Sequence, residues 1–179
     1  VKNTISGRNS HIVMKKTSIL LAICCLMAFA SCQKKNAKQY LGDYSFKTSG
    51  SVTATSTYTT DHHDFTVNLK DEIGQLQIST LDRKNDSVVV VMNFLDGEAI
   101  VTHGYCNDNE IILKKFKRSS ISFSYESFDV GTEVEVYAKG SIYDDNMIIF
   151  NMIYDGETKI GPITYDIYGD DIRMVATRN

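Results

Sequence analysis

From Tyr40 onward, apolar and polar residues alternate in short blocks, and no run of ten or more residues has helical spacing. Tyr44 to Thr60, rich in Ser, Thr and Tyr, predicts a first strand, a bend at Gly50 and a second strand. Phe65, Val67 and Leu69 alternate cleanly, Leu76 and Ile78 continue the period, and Val88 to Phe94 is apolar enough to be buried on one crowded face or on both. Further strands are expected at Ala99 to Cys106, Ile111 to Phe116, Ile121 to Phe128, Val134 to Ile142, Met147 to Tyr154, Ile163 to Tyr168 and Ile172 to Ala176. Tight reversals are expected between them at Asp96-Gly97, Asn107-Asp108-Asn109, Asp144-Asp145-Asn146, Asp155-Gly156 and Gly169-Asp170-Asp171.

Short strands with short connections predict an all-β fold built as an antiparallel up-and-down meander. Its two open edges invite pairing with other chains, and closure into a barrel of about 8 to 10 strands removes them. A β-sandwich is the alternative, because two packed sheets use the same alternation. The sole proline, Pro162, stands beside Gly161 at a turn, where a missing amide hydrogen costs nothing.

The N-terminal part follows a different pattern. Met14-Lys15-Lys16 is a basic start, Ile19 to Ala30 is an apolar run of about a dozen residues, and Ala30-Ser31-Cys32 supplies small residues before a thiol. The run is well short of the ~20 residues that cross a ~30 Å hydrocarbon layer, so a cleaved export signal is expected rather than a permanent span. The Cys after the small pair resembles a lipobox, with Phe29 where Leu is usual, and it marks Cys32 as the acylated first residue after cleavage. Cys24 and Cys25 lie inside the apolar run and are poorer choices. The expected organisation is an upstream extension over 1–13, a lipoprotein signal over 14–31, a lipidated tether over 32–39 and one β-domain over 40–179. Multiple acyl chains anchor firmly where one binds only reversibly.

Charge and cysteine usage narrow the picture. All 22 acidic residues but only 15 of the 19 Lys and Arg follow Ser31, so the formal charge moves from −3 for the whole chain to −7 for the processed one, which argues against nucleic-acid binding. Cys106 is the only Cys after Cys32, so the domain forms no internal disulfide and relies on its apolar core. A Cys in a strand-like segment is expected to be a buried small hydrophobe.

With these features and the opening Tyr40-Leu41-Gly42-Asp43-Tyr44, the chain resembles the calycin-like or lipocalin-like lipoproteins of diderm bacteria. The closing portion carries the resemblance furthest, in Val134 to Gly140, Met147 to Tyr154, Tyr165 to Gly169 and Ile172 to Ala176. Lipocalins carry Gly-x-Trp on the first strand with an Arg from the last strand packed over the indole. Here Gly42-x-Tyr44 stands in that place, with Arg173 and Arg178 as candidates for the Arg. The resemblance implies a small barrel whose interior holds an apolar ligand, and the basic residues after Cys32, with no acidic stretch there, point to an anchor on the outer membrane that faces the periplasm.

No catalytic or metal constellation stands out. Asp61-His62-His63-Asp64 is the densest cluster of metal-capable side chains, but on a strand the two imidazoles point to opposite faces, so no metal site is assigned. His103 has no Ser or Cys partner motif and is expected to be exposed or structurally hydrogen-bonded. Lys114-Lys115-Phe116-Lys117-Arg118 is a basic run expected on the solvated face of a strand, with an anionic membrane or acidic partner as the functional alternative. Lys34, Lys35 and Lys38 in the tether are placed to meet headgroups, although a solvated linker accounts for them equally.

The expected function is therefore a non-enzymatic, cofactor-free, monomeric barrel that binds a small hydrophobic molecule in an interior pocket of several hundred cubic ångströms. The alternative is an envelope interaction protein, an inhibitor or accessory subunit that binds a protein partner through its loops. A hydrolase ranks third, and its sign would be carboxylates converging in a cleft with opposed environments.

Overall fold

The computed structural model describes residues 37–58, 64–81, 86–107, 109–125 and 128–179. The export segment, Cys32 and the Asp61-His62-His63 part of the polar cluster lie outside the described residues. A single 3-10 turn (Ala37–Gln39) is followed by β1 (Gly42–Ser49), β2 (Ser51–Ser56), β3 (Phe65–Asn68), β4 (Glu72–Thr80), β5 (Ser87–Phe94) and β6 (Ala99–Asn107). Then come β7 (Glu110–Leu113), β8 (Phe116–Tyr125), β9 (Phe128–Asp144), β10 (Met147–Ile160) and β11 (Ile163–Arg178).

Eight strands close a ring in the order β1-β4-β5-β6-β7-β9-β10-β11, and β11 returns to β1 with Tyr44 opposite Arg178 and Ser49 opposite Arg173. Every pairing is antiparallel. The expected barrel is thus formed, with the β2–β3 hairpin and β8 as excursions from the ring.

Those excursions build a second, smaller lobe. The strands β9, β10 and β11 run past the upper end of the ring, where β8 pairs with β9 and β2 pairs with β11. The hairpin partner β3 then approaches β8 through the isolated Leu69–Phe123 bridge and the Lys70 amide bonded to the Ser122 carbonyl at 2.9 Å. Ring and lobe therefore share one three-stranded spine.

Alternation explains why these segments are strands. In β6 each of Ile100, Thr102, Gly104 and Cys106 is buried while Ala99, Val101, His103, Tyr105 and Asn107 are exposed. The same period in β1, β4 and β5 sends Tyr44, Phe46, Leu76, Ile78, Val88, Val90 and Met92 inward. Val88 to Phe94 accordingly buries one face. Each fully buried side chain of this size contributes about 1.5–3 kcal/mol.

Three expectations change. Asp155-Gly156 lies inside the unbroken β10, and Gly169-Asp170-Asp171 is a register shift within a single β11 rather than a reversal between two strands. An extra residue on one strand bends it without ending it. Ile111 to Phe116 is divided at Lys114-Lys115, because the chain leaves β7 and restarts as β8 higher on the same partner, β9.

The interior pocket expected from the resemblance is a further correction. Val88, Val90, Ile111, Phe150, Ile172 and Ala176 expose no surface to a water-sized sphere, and Tyr44, Leu76, Met92 and Met174 expose about 1%. A methyl group at Gly140 would come within 2.6 Å of the Phe150 ring and 2.8 Å of Ile111, and one at Gly104 within 2.9 Å of Val88. The middle of the barrel is filled by its own side chains, and glycines make room for the largest of them.

Candidate functional site

The ring parts at one place. The short β7 covers only Gly104 to Asn107 of β6, and the last stitches above it are the Lys114 amide to the His103 carbonyl at 2.7 Å and the Thr102 hydroxyl to the Lys114 carbonyl at 3.0 Å. Beyond that point β8 turns towards the upper lobe, and its side chain Arg118 fills the gap.

Only 2% of the Arg118 side chain is exposed. Its Nη2 donates to Glu72 Oε1 at 3.0 Å and to Asp96 Oδ2 at 2.5 Å, and Nη1 forms an ion pair with Glu98 Oε2. The guanidinium lies 3.9 Å from the Phe94 ring centroid, a cation–π contact that is stronger when water is excluded. The Tyr154 hydroxyl donates to Glu72 Oε2 at 3.3 Å, the Glu98 amide to Asp96 Oδ1 at 3.0 Å, and Ser119 gives both its amide and its hydroxyl to Glu98 Oε1. Elements from four parts of the chain thus meet on one cation: the start of β4, the β5–β6 turn, β8 and β10.

An open cleft of about 200 Å³ lies over this cluster, lined among others by Lys70, Asp71, Glu72, Asp96, Arg118, Ser120 and Ser122. Burial raises the Glu72 carboxyl above its usual range, and the Arg118 charge opposes that shift without cancelling it. Burial likewise pushes the Tyr154 phenol well above its ordinary value, with Glu72 adding to the effect. Three carboxylates converging with unequal environments are the hydrolase sign named above. Yet both oxygens of Glu72 and of Asp96 accept hydrogen bonds from the protein itself, and Glu98 accepts from Ser119 at Oε1 while Oε2 faces the Arg118 charge. A general acid or base needs a free oxygen within reach of substrate or water. The arrangement is a polar plug that seals the parted wall.

Arg118 was legible in sequence only as part of the basic run. That run does not form a free cationic face: Lys115 pairs with Glu135, Lys117 with Glu133 at 2.7 Å, and Arg118 is buried. Counting inward positions up from Phe116 puts Arg118 inside, whereas counting down from Ile121 puts Ser119 there. The register shift between Arg118 and Ile121 reconciles the two.

At the lower end, Arg178 answers the question left between Arg173 and Arg178. Its Nη2 donates to the Tyr44 hydroxyl at 2.8 Å and to the Gln39 carbonyl at 3.1 Å, and its guanidinium lies 5.3 Å from the Tyr44 ring centroid. The Tyr44 hydroxyl in turn donates a hydrogen bond to the Tyr40 carbonyl at 2.8 Å. Together these bonds hold the 3-10 turn under the barrel, where Tyr40 is fully buried. A second cleft of about 380 Å³, lined by Gln39, Tyr44, Asp144, Asp145 and Arg178 among others, opens beside it.

Comparison with known proteins assigns no family and no function. No family model and no curated protein matches this chain. Among solved structures it is similar to EF1p2_mFAP2b bound to DFHBI, with 12% identity, 82% of this chain and 98% of that chain covered, and a TM-score of 0.39. It is also similar to a redesigned β-barrel (14%, 83% and 99%, 0.38) and to Ail, the attachment invasion locus protein of Yersinia pestis, in complex with the heparin analogue sucrose octasulfate (10%, 76% and 99%, 0.41). At such scores, what those proteins bind is theirs alone.

The remaining candidates fall into place. Cys106 is buried as expected, its thiol pushed up to about 11 chiefly by desolvation and then by Asp86. His103 projects outward from β6 rather than into the barrel. Among the described residues no group of three or more His, Cys, Asp or Glu side chains is arranged to hold a metal ion. Also among them, no helix is long and apolar enough to cross a membrane.

Proposed function

We propose that this chain is an acylated envelope protein, non-enzymatic, whose barrel is a rigid scaffold that binds a protein partner through its surface and loops. The carrying observation is the filled interior: side chains that leave no water-sized space in the middle of the ring leave none for an apolar ligand either. This favours the interaction reading over the interior-ligand reading. The engaged carboxylates around Arg118 support a non-enzymatic role.

Two features support the lipoprotein and calycin-like parts of the proposal. Cys32 follows a basic start, an apolar run and a small-residue pair in the order an export signal requires. Arg178 from the last strand lies over Tyr44 of the first, as the lipocalin-like pattern implies for an Arg over an aromatic. Outer-membrane attachment facing the periplasm is read from the basic residues that follow Cys32, which lack an acidic stretch. The barrel is held there by lipid, not by its strands. Its outer wall carries the ion pairs Lys47–Asp71, Lys117–Glu133 and Lys139–Glu110, which hydrocarbon would not accommodate.

The test places a photo-crosslinking residue at Tyr168, exposed near the upper lobe, and at Val101 on the barrel wall, in the full-length chain expressed in a diderm host. A discrete adduct from Tyr168 and none from Val101 is expected. Saturable one-to-one binding of a fluorescent fatty acid to the purified protein would restore the interior-ligand reading and overturn this one.

A further inference from the structure

The lower end of the barrel carries apolar side chains that the core does not use. Tyr143 is 71% exposed, Tyr105 52%, Leu81 51% and Ile112 43%. All four belong to the same third of the molecule. Tyr105 of β6 stands opposite Ile112 of β7 and Ser87 of β5, Leu81 follows the end of β4, and Tyr143 sits two residues beyond Ser141, which pairs with Glu110 at the start of β7. Leu81, Tyr105 and Ile112 border a groove of about 390 Å³ on the outer wall, floored at Gly104.

The chain enters the barrel at this same end. Ala37 is buried, its carbonyl accepts the Tyr40 amide at 2.9 Å, and Arg178 holds the Gln39 carbonyl. Tyr40 lies close enough to Cys106 and Glu110 for both to act on its phenol. Five residue steps separate Cys32 from Ala37, which fully extended span at most about 18 Å. The β10–β11 hairpin, with strands of 14 and 16 residues at about 3.3 Å per residue, is more than twice as long.

Resting on the lipidated-Cys32 reading above, we propose that this lower apolar rim, centred on Tyr143, Tyr105, Leu81 and Ile112, is a footing that lies in the headgroup region of the bilayer that holds the lipid anchor. The short tether cannot carry this end far from the membrane. Tyrosine suits the role, because its ring is apolar and its hydroxyl stays wet. The upper lobe is then the part turned away from the bilayer and offered to a partner.

The chain contains no Trp, so a single introduced Trp reports its own surroundings. Mature acylated protein is reconstituted in phosphatidylcholine vesicles, with and without bromine on the acyl chains, as Tyr143→Trp, Tyr105→Trp and, for the upper lobe, Tyr168→Trp. Bromination is expected to quench the first two about twofold and leave the third unchanged, as interfacial aromatics require. Equal quenching at all three positions, or none at Tyr143→Trp and Tyr105→Trp, overturns the footing. A blue shift that grows with protein concentration and ignores bromine also overturns it, by making a second copy the occupant. Intact mass separates the two levels: an unacylated Cys32 removes the lipoprotein reading and the footing with it, whereas an acylated chain without quenching removes the footing alone.

Discussion

Replacing Arg118 by Met removes the cation shared by three carboxylates while keeping an unbranched side chain to fill the gap. Glu72 and Glu98 are then left largely out of water, with side chains 10% and 19% exposed. Breaking a buried ion pair from one side costs about 3–5 kcal/mol, because the surviving charge is uncompensated. With a urea dependence of about 2 kcal/mol per molar, the unfolding midpoint of Arg118→Met falls by about 2 M. The second replacement, Glu72→Gln, keeps an acceptor for Tyr154 and removes one stranded charge. Arg118→Met with Glu72→Gln should therefore recover about 1–2 kcal/mol relative to Arg118→Met alone, the coupling expected of residues in one network. The sign of the pH effect follows from Glu72. Its carboxyl lies above its ordinary 4.5 in the folded protein, and losing Arg118 raises it further. In that window the folded state binds more protons than the unfolded one, so acidification stabilises the variant. The gap between wild type and Arg118→Met should narrow as pH falls from 8 towards 5. A loss below about 1 kcal/mol, or a gap that widens on acidification, would refute the account of Arg118 as a buried plug.

Three further outcomes follow from the packing. Gly140→Ala forces a methyl group to within 2.6 Å of Phe150, so it should cost about 1–3 kcal/mol in urea unfolding; a neutral result would mean the interior has spare volume. Cys106 is buried and has its ionisation pushed up to about 11, so at pH 8 it is overwhelmingly the unreactive thiol. It should resist an aromatic disulfide reagent in the native protein and react at once in denaturant. Arg178→Ala frees the Gln39 carbonyl and the Tyr44 ring; hydrogen exchange at the Tyr40 amide should rise at least tenfold while β6 is unchanged, and uniform loosening would argue against a local clasp.

The ring was legible because each of its strands has one buried face, and period-two alternation in Ile100-Val101-Thr102-His103 or Leu76-Gln77-Ile78 records that directly. Turns were legible where the chain reverses with a positive φ, as at Gly97 and Gly161, and misread where Gly and Asp serve a strand irregularity instead, as at Gly169. The upper lobe was not legible. Which strand pairs with which is a property of chain separations that alternation does not encode, and nothing in Phe65 to Asn68 says that its neighbour is β2. The Arg118 site was hidden for the same reason, since its partners Glu72, Asp96 and Glu98 precede it by 20 residues or more and only the folded chain brings them together. The filled interior was equally out of reach, because alternation tells which residues face inward and not whether they touch.

The last strand has three neighbours, β1, β2 and β10, and its pairing with β1 joins residues 134 positions apart. A chain that emerges N-terminus first holds no closed wall until the 16 residues of β11 arrive. Until then the sheet keeps open edges, and closing so long a loop is among the slow events of folding. Closure of the wall therefore waits on β11, and a truncation that removes this strand would leave a sticky, unsealed intermediate in place of a slightly shortened barrel.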